Sequence, residues 1–428
     1  MKTLLFFTAI LFSFVSIPAQ TPTVAAQAVS DEAARIRLET FDKVWNTVNE
    51  KHYDPTFGGV DWNKVRDRFR PNAILAKNDN DLHSLLRDML AQLKLSHFGI
   101  LPKDIATRAQ GPAGIGVELK MIDGKFVIWR VEANSTAEAA GLKPGFAIRK
   151  INNSTVTELL KPLGNSFAGR DVSDRLQKVY KERSLDAFIS GPAESKAVVE
   201  IETAEGRGRV FEIVRKPFTG ELSQPLGNFP GQRVRFESRR LEGNIGYIRF
   251  NMWVIPQMAK LRAAVREFAG ARGVIFDLRG NPGGVGAMAP GIAGLLYKDQ
   301  TSLGSMNSRS NKLDFIVYPQ ENPFTGTIVI ITDHGTASTS EVFAVGMQET
   351  GRAIVIGETT AGAVLPSVFE KLPTGAMFQY AISDYRSPKN ILIERRGVVP
   401  DVKVELSRDL LLQGRDSQLE AAIKQIVK

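Results

Sequence analysis

The sequence predicts a multidomain α/β protein with a helical segment first, a small β-rich module next and an α/β core last. Three observations predict it. The 428-residue length exceeds one ordinary hydrophobic core. Residues 31–101 carry apolar side chains at helical spacing, and residues 108–218 switch to short alternating runs with frequent glycine. From residue 219 strand and helix patterns alternate, which implies a largely parallel sheet covered by helices. A hydrophobic content of 43% and a charged content of 24% are those of a globular chain.

The first residues stand apart. "MKTLLFFTAILFSFVSIPAQ" has a basic start at Lys2, an apolar stretch Leu4–Ile17 and small residues after it. The stretch is shorter than the ~20 residues a bilayer span needs. It reads as a secretory signal within residues 1–28, cleaved after Ala19 or after the Ala26-Gln27-Ala28 triplet. The mature chain is then expected in the periplasm or outside the cell, without a stable membrane span.

The helical segment, 29–107, places Ile36, Phe41, Val44, Trp45 and Val48 near one face, offers Asp61 as a helix cap, and continues through Leu82, Leu85, Leu86, Met89 and Leu93. It ends at "KLSHFGILP" (Lys94–Pro102). The module, 108–218, has about five strands, among them "GIGVELKM", "KFVIWRV" and "VVEIET", and a mostly helical insertion at Glu158–Ala187. In the core, 219–428, the strand "GVIFDL" feeds the turn "RGNPGG", and "TIVIIT" leads through "DHGTAS" to a helix from Thr339 to Glu349. Both turns fall at carboxyl ends of strands, where sites gather in parallel sheets.

Composition excludes several classes. With no cysteine, the chain has no thiol nucleophile, thiolate metal site or disulfide scaffold. The four histidines (His52, His83, His97 and His334) form no HExxH pair, and no metal site is expected. A net charge of +9 is dispersed among carboxylates, without the dense basic stripe that marks a nucleic-acid partner.

Ser338 is the candidate nucleophile. "STSE" (Ser338–Glu341) is a capping box, yet a serine at a strand-to-helix junction also sits where backbone amides stabilise an oxyanion. The two roles are compatible. In "LRGNPGG" (Leu278–Gly284) the glycines let backbone approach a ligand, so an amide of Gly283 or Gly284 can serve the same oxyanion.

"GVIFDLRGNPGG", "TASTSE", "GRAIVIGETTAG" and "GVVPDV", in that order, resemble the serine peptidases that include the C-terminal processing (tail-specific) proteases and the tricorn core protease. The resemblance covers nearly the whole mature chain. It implies a core of the crotonase/ClpP type and makes the module a PDZ domain, whose loop Gly114, Ile115, Gly116 and Val117 would hold a peptide's C-terminal carboxylate. The processing proteases use a lysine base, but the matching position here is Ala363. The tricorn-like branch, similar at "TAG", instead implies His97 as base, with Ser96 and Glu394 orienting it, and backbone amides of Gly283 and Thr339 as the oxyanion hole. His334, four residues before Ser338, is the rival base, while Glu358 and Lys371 are expected near the pocket without a catalytic role. The function implied is an exported serine endopeptidase or peptide-trimming enzyme that acts on peptides or unfolded proteins, with no cofactor. Alternatives on the same fold are a non-catalytic peptide or lipophile carrier and a PDZ-led envelope scaffold.

Overall fold

The structure, a computed structural model, describes residues 24–101, 103, 113–225, 227–228 and 230–428. The expected leader and its Ala19 cleavage point therefore lie outside the described residues, as does the 107/108 boundary. The alternative triplet Ala26-Gln27-Ala28 falls within the first helix, Val24–Lys51. No helix among the described residues is long and apolar enough to cross a membrane.

Helical spacing becomes packing in the first segment. Phe41, Val44, Trp45 and Val48 are buried along the first helix and close on Leu82, Leu86 and Met89 from Asp79–Leu90. Asp61 caps Trp62–Ile74 as expected, accepting the Lys64 amide at 3.0 Å. Two indoles lock the corner, Trp45 donating to the Trp62 carbonyl at 3.0 Å and Trp62 to the Trp45 carbonyl at 3.2 Å. The end of this segment departs from the helical expectation. Gly99–Leu101 is a strand, paired antiparallel with Met377–Gln379 of the core, and Leu372, Phe378 and Tyr380 join the helices' own hydrophobic cluster. That shared cluster carries Ser96 and His97, which directly precede Phe98 and the strand, onto the core.

The module is an antiparallel sheet in the order Val117–Ile122, Lys125–Val131, Ala147–Ile151, Lys196–Glu202, Gly208–Val214, with the short strand Ser154–Thr155 paired to Ala147–Ile151. Its insertion forms the helices Val156–Phe167 and Asp174–Ile189.

The core is a six-stranded sheet ordered Val402–Lys403, Ala353–Gly357, Thr327–Thr332, Gly273–Asp277, Ile245–Phe250, Phe236–Leu241. All neighbours run parallel except the last pair. Gly273–Asp277 is buried throughout, as an apolar strand covered on both faces must be. One polar residue sits in it. Asp277 accepts from Tyr247 at 2.7 Å and from Arg279 at 2.6 Å and 2.9 Å. Burial alone would raise its carboxyl, but the Arg279 charge outweighs this and holds it at about 2. A short helix, Met288–Ala293, follows the turn after this strand. Antiparallel strands add to the core at Thr301–Asn307, Lys312–Val317, Ser367–Lys371, Met377–Ala381 and Asp384–Arg386.

Candidate active site

Ser338 begins the helix Thr339–Glu349 with φ 56° and ψ −123°, a conformation that a side chain with a Cβ rarely adopts. Strain of this order, ~1–3 kcal/mol, persists where surroundings over-determine it, and such outliers cluster at active sites. The surroundings here are specific. The Ser338 amide reaches the Ala363 carbonyl at 2.8 Å and the Glu341 carboxylate at 3.1 Å, and the Glu341 amide bonds the Ser338 carbonyl at 2.7 Å. The glutamate half of the expected capping box therefore forms on a strained turn, while the Glu341 amide takes the Ser338 carbonyl rather than Oγ. Buried Glu341 also accepts from Thr360 Oγ1 at 2.5 Å, the Gly362 amide at 2.8 Å and the Ala363 amide at 3.0 Å, welding the "TTAG" turn to the nucleophile turn. Burial lifts its carboxyl to about 7 against those hydrogen bonds.

Gly283 packs under the serine. A Cβ placed on it would lie 2.5 Å from Ser338 Cβ and 2.8 Å from the Thr339 nitrogen, and its φ is +93°. Its amide departs from the expected oxyanion role, because it donates to Asn281 Oδ1 at 3.0 Å, inside the turn. The Gly284 and Thr339 amides have no backbone acceptor among the described residues, and Thr339 Oγ1 bonds the Gly284 carbonyl at 2.8 Å, holding the two together. Gly283→Ala is expected to lower kcat about 10²-fold in a hydrolysis assay, since displacing a reacting group by ~1 Å costs that much.

The histidine pair assembles with the distant glutamate. Glu394 accepts the Ser96 amide at 2.7 Å, Ser96 Oγ at 3.0 Å and the Val364 amide at 3.1 Å. Ser96 Oγ lies 2.7 Å from His97 Nδ1. A hydroxyl has one proton, and here it goes to Glu394, so Ser96 can only accept from His97. Nδ1 therefore carries the hydrogen and Nε2 is left with a lone pair. Desolvation pulls His97 down to about 4, so the ring is neutral at neutral pH. Burial raises Glu394 despite its donors.

Ser96, His97, Gly284, Ser338, Thr339, Ala363 and Glu394 all line one cleft of about 2200 Å³ between the helical segment, the module's insertion and the core. No hydrogen bond joins His97 to Ser338 across it in this structure. Ala363 offers only backbone to Ser338 and nothing titratable.

His334 is placed otherwise. It is buried, with Nε2 2.7 Å from Glu182 and Nδ1 2.9 Å from Glu358. Burial alone would depress the ring, but the two carboxylates lift it to about 9, so at neutral pH neither nitrogen is free to take a proton. Its raised pKa stabilises the fold fully below its ordinary value of 6.5, and that contribution is lost as pH rises through 9. Thermal unfolding followed from pH 6 to 10 is expected to show the decline. Neither Glu358 nor Lys371 lines the cleft.

In the module, the Gly114 amide is already bonded to the Lys216 carbonyl at 3.0 Å, so the expected carboxylate loop keeps only the Ile115, Gly116 and Val117 part. Gly116, at φ +86°, stands where a Cβ would meet Ser135 Cβ at 2.3 Å.

Residues 244–404 match the model of peptidase family S41, and residues 35–91 match that of the tricorn protease C1 domain. The chain carries a peptidase family S41 domain. It is a serine-type peptidase. The S41 peptidase is 26% identical over 396 residues to a carboxyl-terminal-processing protease of Synechocystis, covering 89% of this chain and 84% of that one. It is also 26% identical over 295 residues to the carboxy-terminal processing protease CtpA of Bacillus subtilis, covering 68% of this chain and 56% of the relative. Among solved structures, the photosystem II D1 C-terminal processing protease shares its fold, with TM-score 0.57 at 21% identity over 88% of this chain and 96% of that one. Mature CPAF does so with TM-score 0.62 at 13% identity over 92% and 97%.

Spacing alone did not reveal Asn281 as the acceptor inside the turn beneath Ser338, nor the buried Lys120–Asp333 ion pair beside the same turn. The available signals were a polar residue inside the glycine turn, an aspartate at the end of an apolar strand, and a lysine within the apolar run "GVELKM".

Proposed function

We propose that this S41 peptidase is an exported endopeptidase that cleaves peptides or unfolded proteins through an acyl-enzyme, with His97 rather than a lysine as base. The observation that carries the reading is the Glu394–Ser96–His97 hydrogen-bonded chain, which leaves a bare Nε2 in the cleft that also holds strained Ser338. Ser338 Oγ attacks the scissile carbonyl carbon as His97 Nε2 takes its proton. The oxyanion is received by the Thr339 and Gly284 amides, while Gly283 supplies the close approach beneath the serine. His97 then returns the proton to the leaving amine as the C–N bond breaks, and a water deacylates Ser338 by the same base. Catalytic contacts are often long in apo enzymes and tighten when substrate closes the site, which fits the open cleft between His97 and Ser338.

The module acts as a PDZ domain on a crotonase/ClpP-like core. Its edge strand Val117–Ile122 and the Ile115–Gly116 amides suit an added peptide strand ending in a carboxylate. The edge is short for this purpose, because Glu182 already accepts the Met121 amide at 2.7 Å. In the cleft, the edge strand Lys312–Val317 and the exposed side chains of Ile255, Leu313 and Tyr318 suit an extended, apolar polypeptide. The reading is tested by incubating the mature chain with unfolded, fluorescently labelled casein and with a fluorophosphonate probe. Hydrolysis and labelling are expected from wild type, and labelling no better than that of Ser338→Ala would sink it.

A further inference from the structure

We propose that Lys120, on the module's edge strand, is a positioning residue for catalysis, holding the oxyanion turn and the nucleophile turn together through Asp333. The inference rests on the peptidase reading above and adds to it a requirement for the module in the chemical step.

Asp333 Oδ1 accepts the Gly280 amide and the Gly335 amide, each at 2.9 Å. One carboxylate oxygen thus ties the turn that runs on to Gly284 to the turn that runs on to Ser338. Thr336 Oγ1 donates to the Leu278 carbonyl at 2.8 Å, a second stitch between the same turns. The other oxygen, Oδ2, lies 2.5 Å from Lys120 Nζ, and both residues are buried. The ammonium packs against both turns, since a Cβ on Gly280 or Gly335 would lie 3.4 Å or 3.2 Å from it. Its other neighbour is Glu182, at 3.9 Å, which also bonds His334. The module is fixed here by a second device, Trp129, whose ring lies 5.1 Å from the Arg249 guanidinium and 4.7 Å from that of Arg279, the residue before Gly280.

A buried carboxylate that loses its cation must protonate, admit water or move. Each alters the acceptor that both turns share, and small displacements of reacting groups cost rate steeply. Lys120 does not line the cleft, so substrate binding should be spared. The signature is therefore a loss of kcat at constant KM.

The test compares Lys120→Met and Lys120→Arg with wild type on labelled casein, each rate divided by the sites titrated with fluorophosphonate, so that unfolded chains are not counted. Lys120→Met is expected to lose kcat per site by about tenfold or more with KM within about twofold, and Lys120→Arg to recover most of it. If Lys120→Met does not accumulate folded, Asp333→Asn breaks the same pair from the core and is read by the same criteria. A per-site kcat within about twofold of wild type, or a change confined to KM, overturns the proposal. Failure of the peptidase reading looks different: wild-type turnover would then survive Ser338→Ala.

Discussion

Replacing Ser338 with alanine is expected to abolish turnover of unfolded protein, by roughly 10⁴- to 10⁶-fold in kcat, with the fold retained. Nothing in the tertiary structure depends on Oγ. The turn is held by the Ser338 amide on Ala363 and Glu341, and by the helix amides of Glu341 and Val342 on the Ser338 carbonyl. Alanine can make all of these. Circular dichroism and thermal unfolding near wild type, beside absent hydrolysis and absent fluorophosphonate labelling, check this outcome.

His97→Ala is expected to cost nearly as much, roughly 10⁴-fold or more in kcat, because nucleophile and base act as a unit. The residues that orient the ring should matter less. Glu394→Gln keeps the shape but loses the charge that draws the Ser96 proton, so the tautomer is no longer fixed, and a fall of roughly 10²- to 10⁴-fold is expected. This ordering, Ser338 and His97 above Glu394, separates a histidine base from other arrangements. Were His334 the base, His97→Ala would leave turnover largely intact.

The layered architecture was legible in the residues because its signals are local. Apolar spacing in the first helix, the Asp61 cap and the buried strand "GVIFD" each depend on a few neighbouring positions. The added strands were not legible. Ser367–Lys371 and Met377–Ala381 carry weak alternation and gain their order from pairing with each other and with Gly99–Leu101, far away in the chain. The site divides in the same way. Ser338 announces itself by its junction, whereas Ser96-His97 is an ordinary dipeptide whose meaning lies in Glu394, and only the resemblance to known peptidases joined them. The Gly283 amide was assigned to the oxyanion because glycine permits approach, but a side-chain acceptor two residues earlier, Asn281, takes that hydrogen bond. Lys120 and Asp333 form an ion pair between segments with no sequence relation at all.

The most direct test that His97 serves Ser338 is the pH dependence of kcat/KM. A base must be neutral to accept a proton, so activity falls as pH drops through its pKa. With desolvation holding His97 at about 4 and two carboxylates holding His334 at about 9, the two candidates differ widely. The expected profile is flat from neutral pH down to about 5 and falls near 4, with that limb absent from the residual rate of His97→Ala. Activity that appears only as pH rises through 9, and persists in His97→Ala, would contradict the assignment and return the proton to His334.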